Sequence, residues 1–180
     1  NSELILRPNN KESYHLLSID NVSNVKIFFP KLKGDKSKHL STTGQWGMGI
    51  FIRSSKNVTI RGANIREMWG DGIYIGSNGI IPTNILVENS FMDNNRRNGI
   101  SVISGNNIQI KNTVITNTNG VSPSGGIDIE PNTNNDVLKD IFLDNITTFN
   151  NGNYGILLAF DMLVGNKRKD VSIIIRNHKD

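Results

Sequence analysis

One short phrase recurs along the chain and limits the folds that the sequence can adopt. The phrase is a glycine, an apolar residue, any residue and a second apolar residue. It occurs at 49–52, 72–75, 99–102, 126–129 and 155–158, so the spacings are 23, 27, 27 and 29 residues. Spacings this uneven argue against a helical hairpin repeat, whose period is fixed. Apolar residues at alternate positions indicate short β-strands.

A second phrase alternates with the first and adds another strand to each unit. It starts with Asn or Asp and continues with alternating apolar residues, at 24–27, 57–60, 84–87, 107–110, 140–143 and 170–173. Four of these strands are followed two residues later by a residue that tolerates positive φ: Gly62, Asn89, Asn112 or Asn145. A third, weaker strand fits around Ile65, Met92, Ile115 and Thr148.

Units of three short strands, each with one apolar face, predict an all-β fold. The expected architecture is a right-handed parallel β-helix, a β-solenoid of about six coils with stacked Ile residues inside. Asn94, Asn117 and Asn150 occupy equal offsets and predict a ladder of side-chain amides. We expect a single domain over 1–180, an excised or truncated portion of a longer solenoid, because strands at 4–6 and 171–175 leave both ends bare.

Composition agrees with this fold and excludes other classes. The 180 residues include 27 Asn, 25 Ile and 17 Gly but only two Ala, which disfavours helices. The absence of Cys excludes a disulfide framework, and no apolar run approaches the roughly 20 residues of a membrane span. The net charge is +4, and the basic clusters Lys31, Lys33, Lys36 and Lys38, and 167–169, are expected to be solvated turns. We therefore expect neither a nucleic acid nor a membrane as partner.

Several strings resemble those of right-handed parallel β-helix proteins of the pectate-lyase-like superfamily, whose relatives include phage tailspike depolymerases. The strings are GQWGMGI (44–50), WGDGIYIG (69–76), RRNGIS (96–101) and GGIDIEPN (125–132). The resemblance implies a polysaccharide partner, bound or cleaved along the flank of the solenoid. The polygalacturonase Asp-Asp and Gly-His-Gly strings, the epimerase Asp-Pro-His string and a calcium cluster are not present. The resemblance therefore does not assign one reaction.

The outward positions of the repeat strand indicate a candidate site. They place carboxylates, guanidiniums and aromatic rings on one flank, which suits proton transfer and the binding of sugar rings. The expected catalytic residues are Asp71, Asp128, Glu130 and Arg97. The expected substrate-binding residues are Trp69, Tyr74, Arg96, Asn98, Ser101, Tyr154 and His39, the last from a long excursion that could fold over the groove.

Two functional hypotheses follow, and the sequence does not choose between them. In the first, the chain is a secreted, cell-surface or virion-associated enzyme, either a glycoside hydrolase or a polysaccharide lyase, acting on a glycan that could contain uronic acid. In the second, it is a non-catalytic glycan-binding or structural module, and the carboxylates only pair with Arg96 and Arg97. A homo-oligomer or an adjoining domain would cover the bare ends. No cofactor is expected, and no motif supports a calcium ion.

Overall fold

The computed structural model describes residues 2–165 and 169–180 and shows a parallel β-solenoid of about six coils with almost no helix. The predicted fold class is confirmed. The strands are β1 (Leu4–Ile5), β2 (Ser13–Asp20), β3 (Ser23–Phe28), β4 (Lys31–Lys33), β5 (Trp46–Arg53), β6 (Lys56–Arg61), β7 (Asn64–Arg66), β8 (Ile73–Gly76), β9 (Thr83–Glu88), β10 (Phe91–Asp93), β11 (Asn98–Val102), β12 (Gly105–Thr116), β13 (Gly125–Ile129), β14 (Leu138–Phe149), β15 (Tyr154–Leu158) and β16 (Ile173–Lys179). One 3-10 turn covers Lys36–Lys38.

The coils stack into three faces. Face I is the six-stranded sheet β2–β5–β8–β11–β13–β15, which contains the repeated phrase. The other strands form a ten-stranded parallel sheet that bends between face II (β3, β6, β9 and the first parts of β12 and β14) and face III (β4, β7, β10 and the second parts of β12 and β14). The bend lies at residues with positive φ: Phe29, Gly62, Asn89, Asn112 and Asn145.

Stacked apolar side chains fill the interior. On face I, Ile50 pairs with Ile73, and Ile73 with Ile100, which continues to Ile127 in the next coil. All four are fully buried. Burying each such side chain contributes about 1.5–3 kcal/mol, so repetition of the same residue in register builds one continuous core.

The repeated glycines allow close approach between coils. A Cβ added at Gly49 would lie 2.6 Å from the carbonyl oxygen of Gly72, and one added at Gly72 would lie 2.6 Å from the oxygen of Gly99. At Gly99, the added Cβ would lie 2.7 Å from the oxygen of Gly126. Real Cβ atoms essentially never come this close to a backbone atom. Each coil therefore needs a glycine where the next coil passes.

Asparagine side chains form ladders on the outside of the turns. One ladder runs along the start of face II and another along the bend between faces II and III, with amide-to-amide distances of 2.9–3.1 Å: Asn107–Asn84–Asn57–Asn24 and Asn145–Asn112–Asn89. Seven of these residues have φ between 47° and 63°, a region that Asn enters more readily than most residues. Asn thus satisfies the turn conformation and links the coils.

Some sequence expectations need correction. Asn150 donates to Asn117 at 2.7 Å, but Asn117 donates to Asp93 and not to Asn94, whose oxygen accepts from Lys36. The predicted ladder is therefore shorter, and Lys36 is not a freely solvated turn residue.

The end strands also differ from the expected ranges. The first strand is Leu4–Ile5 and the last is Ile173–Lys179. Within the predicted basic cluster at 167–169, Lys167 and Arg168 lie outside the described residues. No helix within the described ranges is long and apolar enough to cross a membrane.

Candidate functional site

The outward side of face I carries a groove between two sets of loops. The segments 34–45, 67–72 and 94–97 lead into the starts of its strands, and 77–82 and 130–137 leave their ends. A cavity of about 350 Å³ lies in this groove. Its lining combines aromatic, cationic and amide side chains, including His15, Trp46, Phe51, Arg53, Tyr74 and Arg97.

An aromatic stack crosses the first three coils. The His15 ring lies 3.9 Å from the Phe51 ring, and the Phe51 ring lies 5.1 Å from the Tyr74 ring, each pair nearly parallel. Burial, with the nearby charge of Arg53, lowers the pKa of His15, so its imidazole is neutral at pH 7. Since the rings cover one another, they offer mainly edges to a ligand, and Trp46, which is 48% exposed, offers the broader surface.

A cluster of charged side chains, the Arg97 cluster, lies beside this stack. An Arg97 nitrogen donates to Asp71 at 3.0 Å, and another lies 3.8 Å from both Asp128 and Glu130. Asp71 and Asp128 are fully buried, whereas the Glu130 side chain is 35% exposed. The cluster therefore reaches the cavity through Arg97, and Glu130 is its most exposed carboxylate.

Neutral polar groups hold the Arg97 cluster in place. The Asn98 amide donates to Ser101 at 3.0 Å and to Asp128 at 3.1 Å, while its oxygen accepts from the Gly125 amide. All three side-chain groups in this network are fully buried. Register explains the arrangement, because Ser101 pairs with Asp128 across β11 and β13. Asn98 and Ser101 thus hold the Asp128 carboxyl group in place on the buried side of the cluster.

Burial changes the protonation of the cluster. It raises the pKa of Asp71, although the Arg97 charge opposes the shift. Burial, followed by the charge of Glu130, raises the pKa of Asp128 to about 7. For Arg97, burial favours the neutral form, but Asp71 and Asp128 outweigh it and raise the pKa. The cluster therefore combines a permanent cation with a carboxyl group that holds its proton near neutral pH.

A second cluster forms one wall of the groove. His39 stacks on Trp69 at 4.0 Å, and Arg96 lies 3.7 Å from the Trp69 ring centroid. His39 also bonds Asp35 at 2.9 Å, and both of these side chains are fully buried. Trp69 is only 7% exposed. The ring expected to bind sugar is instead covered by His39 and Arg96.

The structure divides the sequence-predicted site residues into groups. Asp71, Asp128, Glu130, Arg97, Asn98 and Ser101 come together in the Arg97 cluster, and Tyr74 and Arg97 line the cavity. Trp69, Arg96 and His39 belong to the wall, and Tyr154, which is exposed on β15, does not line the cavity.

Nine of the eleven residues that line the cavity were not among the expected site residues, and four of these nine contribute a ring or a guanidinium: His15, Trp46, Phe51 and Arg53. Trp46, Phe51 and Arg53 occupy turn or outward positions of the second coil, so their spacing from Gly49 indicates the same flank as the candidate site. His15 carried none, because β2 lacks the repeated glycine. Among the described residues, no three His, Cys, Asp or Glu side chains form a group that could hold a metal ion.

A comparison with protein families identifies the fold. The family model described as "Right handed beta helix region" matches residues 48–177. The chain belongs to this right-handed β-helix family. The match begins just before the first repeated glycine, so it covers most of the coils described above, and the expected resemblance is confirmed.

Two curated proteins from Bacillus subtilis (strain 168) are similar to this β-helix. The uncharacterized protein YclG is 28% identical over 140 residues, covering 68% of this chain and 24% of YclG. The SPbeta prophage-derived uncharacterized protein YorA is 27% identical over 143 residues, covering 69% of this chain and 24% of YorA. The chain thus spans about a quarter of the length of these relatives.

One solved structure is also similar to this β-helix. It is the tailspike protein gp49 from Acinetobacter baumannii bacteriophage Fri1, a capsular polysaccharide depolymerase, at 21% identity and a TM-score of 0.43. The similarity covers 75% of this chain and 25% of that one.

Proposed function

We propose that this β-helix binds an extended glycan along face I, with one sugar unit in the cavity between Trp46 and Arg97. The observation that carries the proposal is the cavity lining itself. An exposed indole, a tyrosine and two guanidiniums surround a space of about 350 Å³, the volume of a small-molecule site. Apolar rings with a few convergent polar groups suit a sugar, which has both apolar faces and hydroxyl edges.

Each lining group has a role in this proposal. Trp46 supplies the stacking surface, because its ring has no aromatic partner within the described part of the chain. Tyr74 supplies a hydroxyl for which the described residues provide no hydrogen-bond partner, so it is free to bond a ligand. Asn132 also lines this cavity and supplies an amide.

The proposal is tested by affinity electrophoresis of the protein in gels that contain neutral or acidic polysaccharides. Replacing Trp46 with Ala is expected to weaken retention about tenfold, because one aromatic contact is worth roughly 1–3 kcal/mol at comparable sites. The matched control is Phe149→Ala, since Phe149 is 65% exposed on face III. No retention of wild type by any polymer, or equal losses in both variants, contradicts the proposal.

Cleavage of the bound glycan is a second candidate, favoured by the Asp128–Glu130 pair. Asp128 holds a proton near pH 7, and Glu130 exposes about a third of its side chain next to it. In this candidate, Glu130 is the group that exchanges a proton with the glycan, and the buried Asp128 acts through Glu130 as a positioning residue. Arg97 is unsuited to act as the base of an elimination, because the adjacent carboxylates keep it protonated.

Glu130→Gln tests this candidate, with Glu88→Gln as control because Glu88 lies on face II and pairs with Arg61. We expect wild type and Glu88→Gln to generate reducing ends without unsaturated products, and Glu130→Gln to lose at least about a hundredfold in rate. Unsaturated products would indicate elimination. Binding by wild type without any cleavage would leave a glycan-binding module.

A further inference from the structure

The groove does not share the positive charge of the whole molecule. The protein has a net charge of +4, and the two guanidiniums that line the cavity are those of Arg53 and Arg97. Arg53 donates two hydrogen bonds to Asp20, at 3.0 and 2.6 Å. The Asp20 carboxylate balances the charge of this guanidinium, whose remaining N–H donors can still bond neutral acceptors such as sugar hydroxyls. Arg53 is therefore neutralised by its own partner.

Arg97 is neutralised as well. It donates to Asp71 and lies 3.8 Å from both Asp128 and Glu130, so three carboxyl groups share one cation. Burial raises the pKa of both Asp71 and Asp128, which favours their protonated forms, and the Glu130 carboxylate is left to balance the guanidinium. An arriving carboxylate would therefore meet no uncompensated positive charge at this point of the groove.

A neighbouring pocket extends the groove and adds no cation. It has a volume of about 360 Å³ between the loops 77–82 and 130–137. It shares Ser77, Ile103 and Asn132 with the first cavity, so the two spaces are adjacent. Its charged residue is Asp136, which accepts hydrogen bonds from the Ser77 hydroxyl and from backbone amides of its own loop. Asp136 therefore shapes the pocket and increases the negative charge.

Three amide side chains line this pocket, beside the Ser77 and Thr133 hydroxyls and Asp136. The side chains of Asn78, Asn132 and Asn135 line it, and the described residues supply no hydrogen-bond partner to their amide groups. An amide both donates and accepts, which matches the hydroxyl and acetamido groups of sugars. Ile81 and Ile103 add apolar surface to the same lining. This is a lining for an uncharged sugar.

We propose that the groove takes neutral sugar units, one in the cavity at Trp46 and the next in the Asn78–Asn132–Asn135 pocket, and discriminates against chains rich in uronic acid. The inference rests on the proposed function, because it names the substrate class of the same groove. It opposes the acidic polymer that the protein's overall charge alone would favour.

The test compares length-matched oligosaccharides by isothermal titration calorimetry. The neutral probe is the hexamer of N-acetylglucosamine, and the anionic probe is the hexamer of galacturonic acid. At about 0.15 M salt, exposed charges beyond about 8 Å are screened, so the basic outer surface contributes little. We expect the neutral hexamer to bind at least about tenfold more tightly. Equal or tighter binding of the anionic hexamer overturns the inference.

Two sets of variants locate the effect. The double variant Asn78→Ala/Asn135→Ala should weaken binding of the neutral hexamer about tenfold, whereas Asn10→Ala, an exposed control away from both pockets, should leave it unchanged. Asp20→Asn should strengthen binding of the anionic hexamer by freeing Arg53. Asp144→Asn, which frees Arg176 on face II, should not.

Failure of the inference and failure of the proposed function give different results. If a polysaccharide panel finds a ligand and that ligand is an acidic chain, the inference is overturned and glycan binding stands. A loss in the double variant no larger than that in Asn10→Ala also overturns it. If no glycan of either charge binds wild type, both proposals fail.

Discussion

Arg97 lies among buried polar atoms that have no hydrogen-bond partner within the described structure. Its guanidinium is shared by three carboxyl groups, yet its own Nε and one oxygen each of Asp71 and Asp128 are buried with no hydrogen-bond partner in the described structure. Buried polar atoms without partners destabilise a protein, by about 1–3 kcal/mol each. Buried polar atoms without partners often mark a functional site, and this cluster lies next to the proposed glycan groove on face I.

At this scale, we predict that Asp128→Asn changes how stability depends on pH. Because the folded state raises the pKa of Asp128 from 3.8 to about 7, the folded protein binds more protons than the unfolded chain between these values. The contribution of Asp128 to wild-type stability should therefore fall as pH rises from about 4 to 7. The variant should show a smaller fall, measured by urea unfolding at several pH values.

Asp144→Asn is the control for this prediction. Its hydrogen bond from Arg176 lowers the pKa of Asp144, so this carboxylate adds stability above its ordinary pKa and loses that contribution as pH falls. The two variants should therefore change the pH profile in opposite directions. Parallel profiles for wild type and Asp128→Asn would show that Asp128 ionises normally.

Among the elements, the face I strands depend on a backbone contact between coils. The glycines that begin the repeated phrase lie where a Cβ would strike the next coil's carbonyl oxygen. Neighbouring strands in a sheet are about 4.8 Å apart, and this spacing cannot widen at one residue without breaking the hydrogen bonds around it. The glycine is thus required by stacking and not by an unusual φ.

We predict that Gly99→Ala lowers the free energy of unfolding by about 3 kcal/mol or more, because the new methyl meets Gly126 backbone and buried Ile115. Gly79→Ala is the matched control. Its Cβ would meet nothing within 4 Å, although its φ of +84° predicts a cost of about 1 kcal/mol. Equal losses in urea unfolding would contradict the contact explanation.

Across the whole molecule, the segment 34–45 ties distant coils together. Asp35 accepts hydrogen bonds from Asn9 and Tyr14 near the first coil. Its neighbour Lys36 donates to Asn94 at 2.7 Å and to Asn119 at 3.1 Å, in later coils. Contacts in a solenoid otherwise join only adjacent coils, so this segment adds cooperativity that stacking alone does not supply.

Lys36→Met should therefore lower the midpoint of thermal unfolding by several degrees, as loss of about 1–2 kcal/mol implies for a domain of this size. The same variant should also increase hydrogen exchange of the backbone amides at 42–44, which belong to the segment 34–45. Lys38→Met is the control, because Lys38 is exposed and makes no side-chain hydrogen bond within the described structure. Identical midpoints for the two variants would show that the Lys36 hydrogen bonds do not stabilise the fold.

The fold was predictable from the sequence because its rules are local. Alternating apolar residues, a glycine at each close approach and an Asn at each positive-φ turn repeat in every coil. The candidate site was predictable only in part. The outward positions of Asp71 and Asp128 follow from strand periodicity, but their complete burial does not.

That burial depends on contacts between residues far apart in sequence. Arg97 reaches Asp71 and approaches Asp128 across neighbouring coils, and Trp69 is covered by His39 from an excursion 30 residues earlier. Such contacts leave no periodic signal. His15 illustrates the same limit, since its role depends on stacking against Phe51 in the next coil.

The loops that leave face I differ in length while the strands they join stay in register. Two residues link face I to face II in three coils, at 21–22, 54–55 and 103–104, whereas 77–82 and 130–137 form longer loops that border the groove. Few stacked core residues lie in these longer loops. One loop can therefore be exchanged for another, and the border of the proposed glycan groove changed, without disturbing the scaffold. Loop grafting at 130–137 offers the same route to a laboratory library of glycan binders.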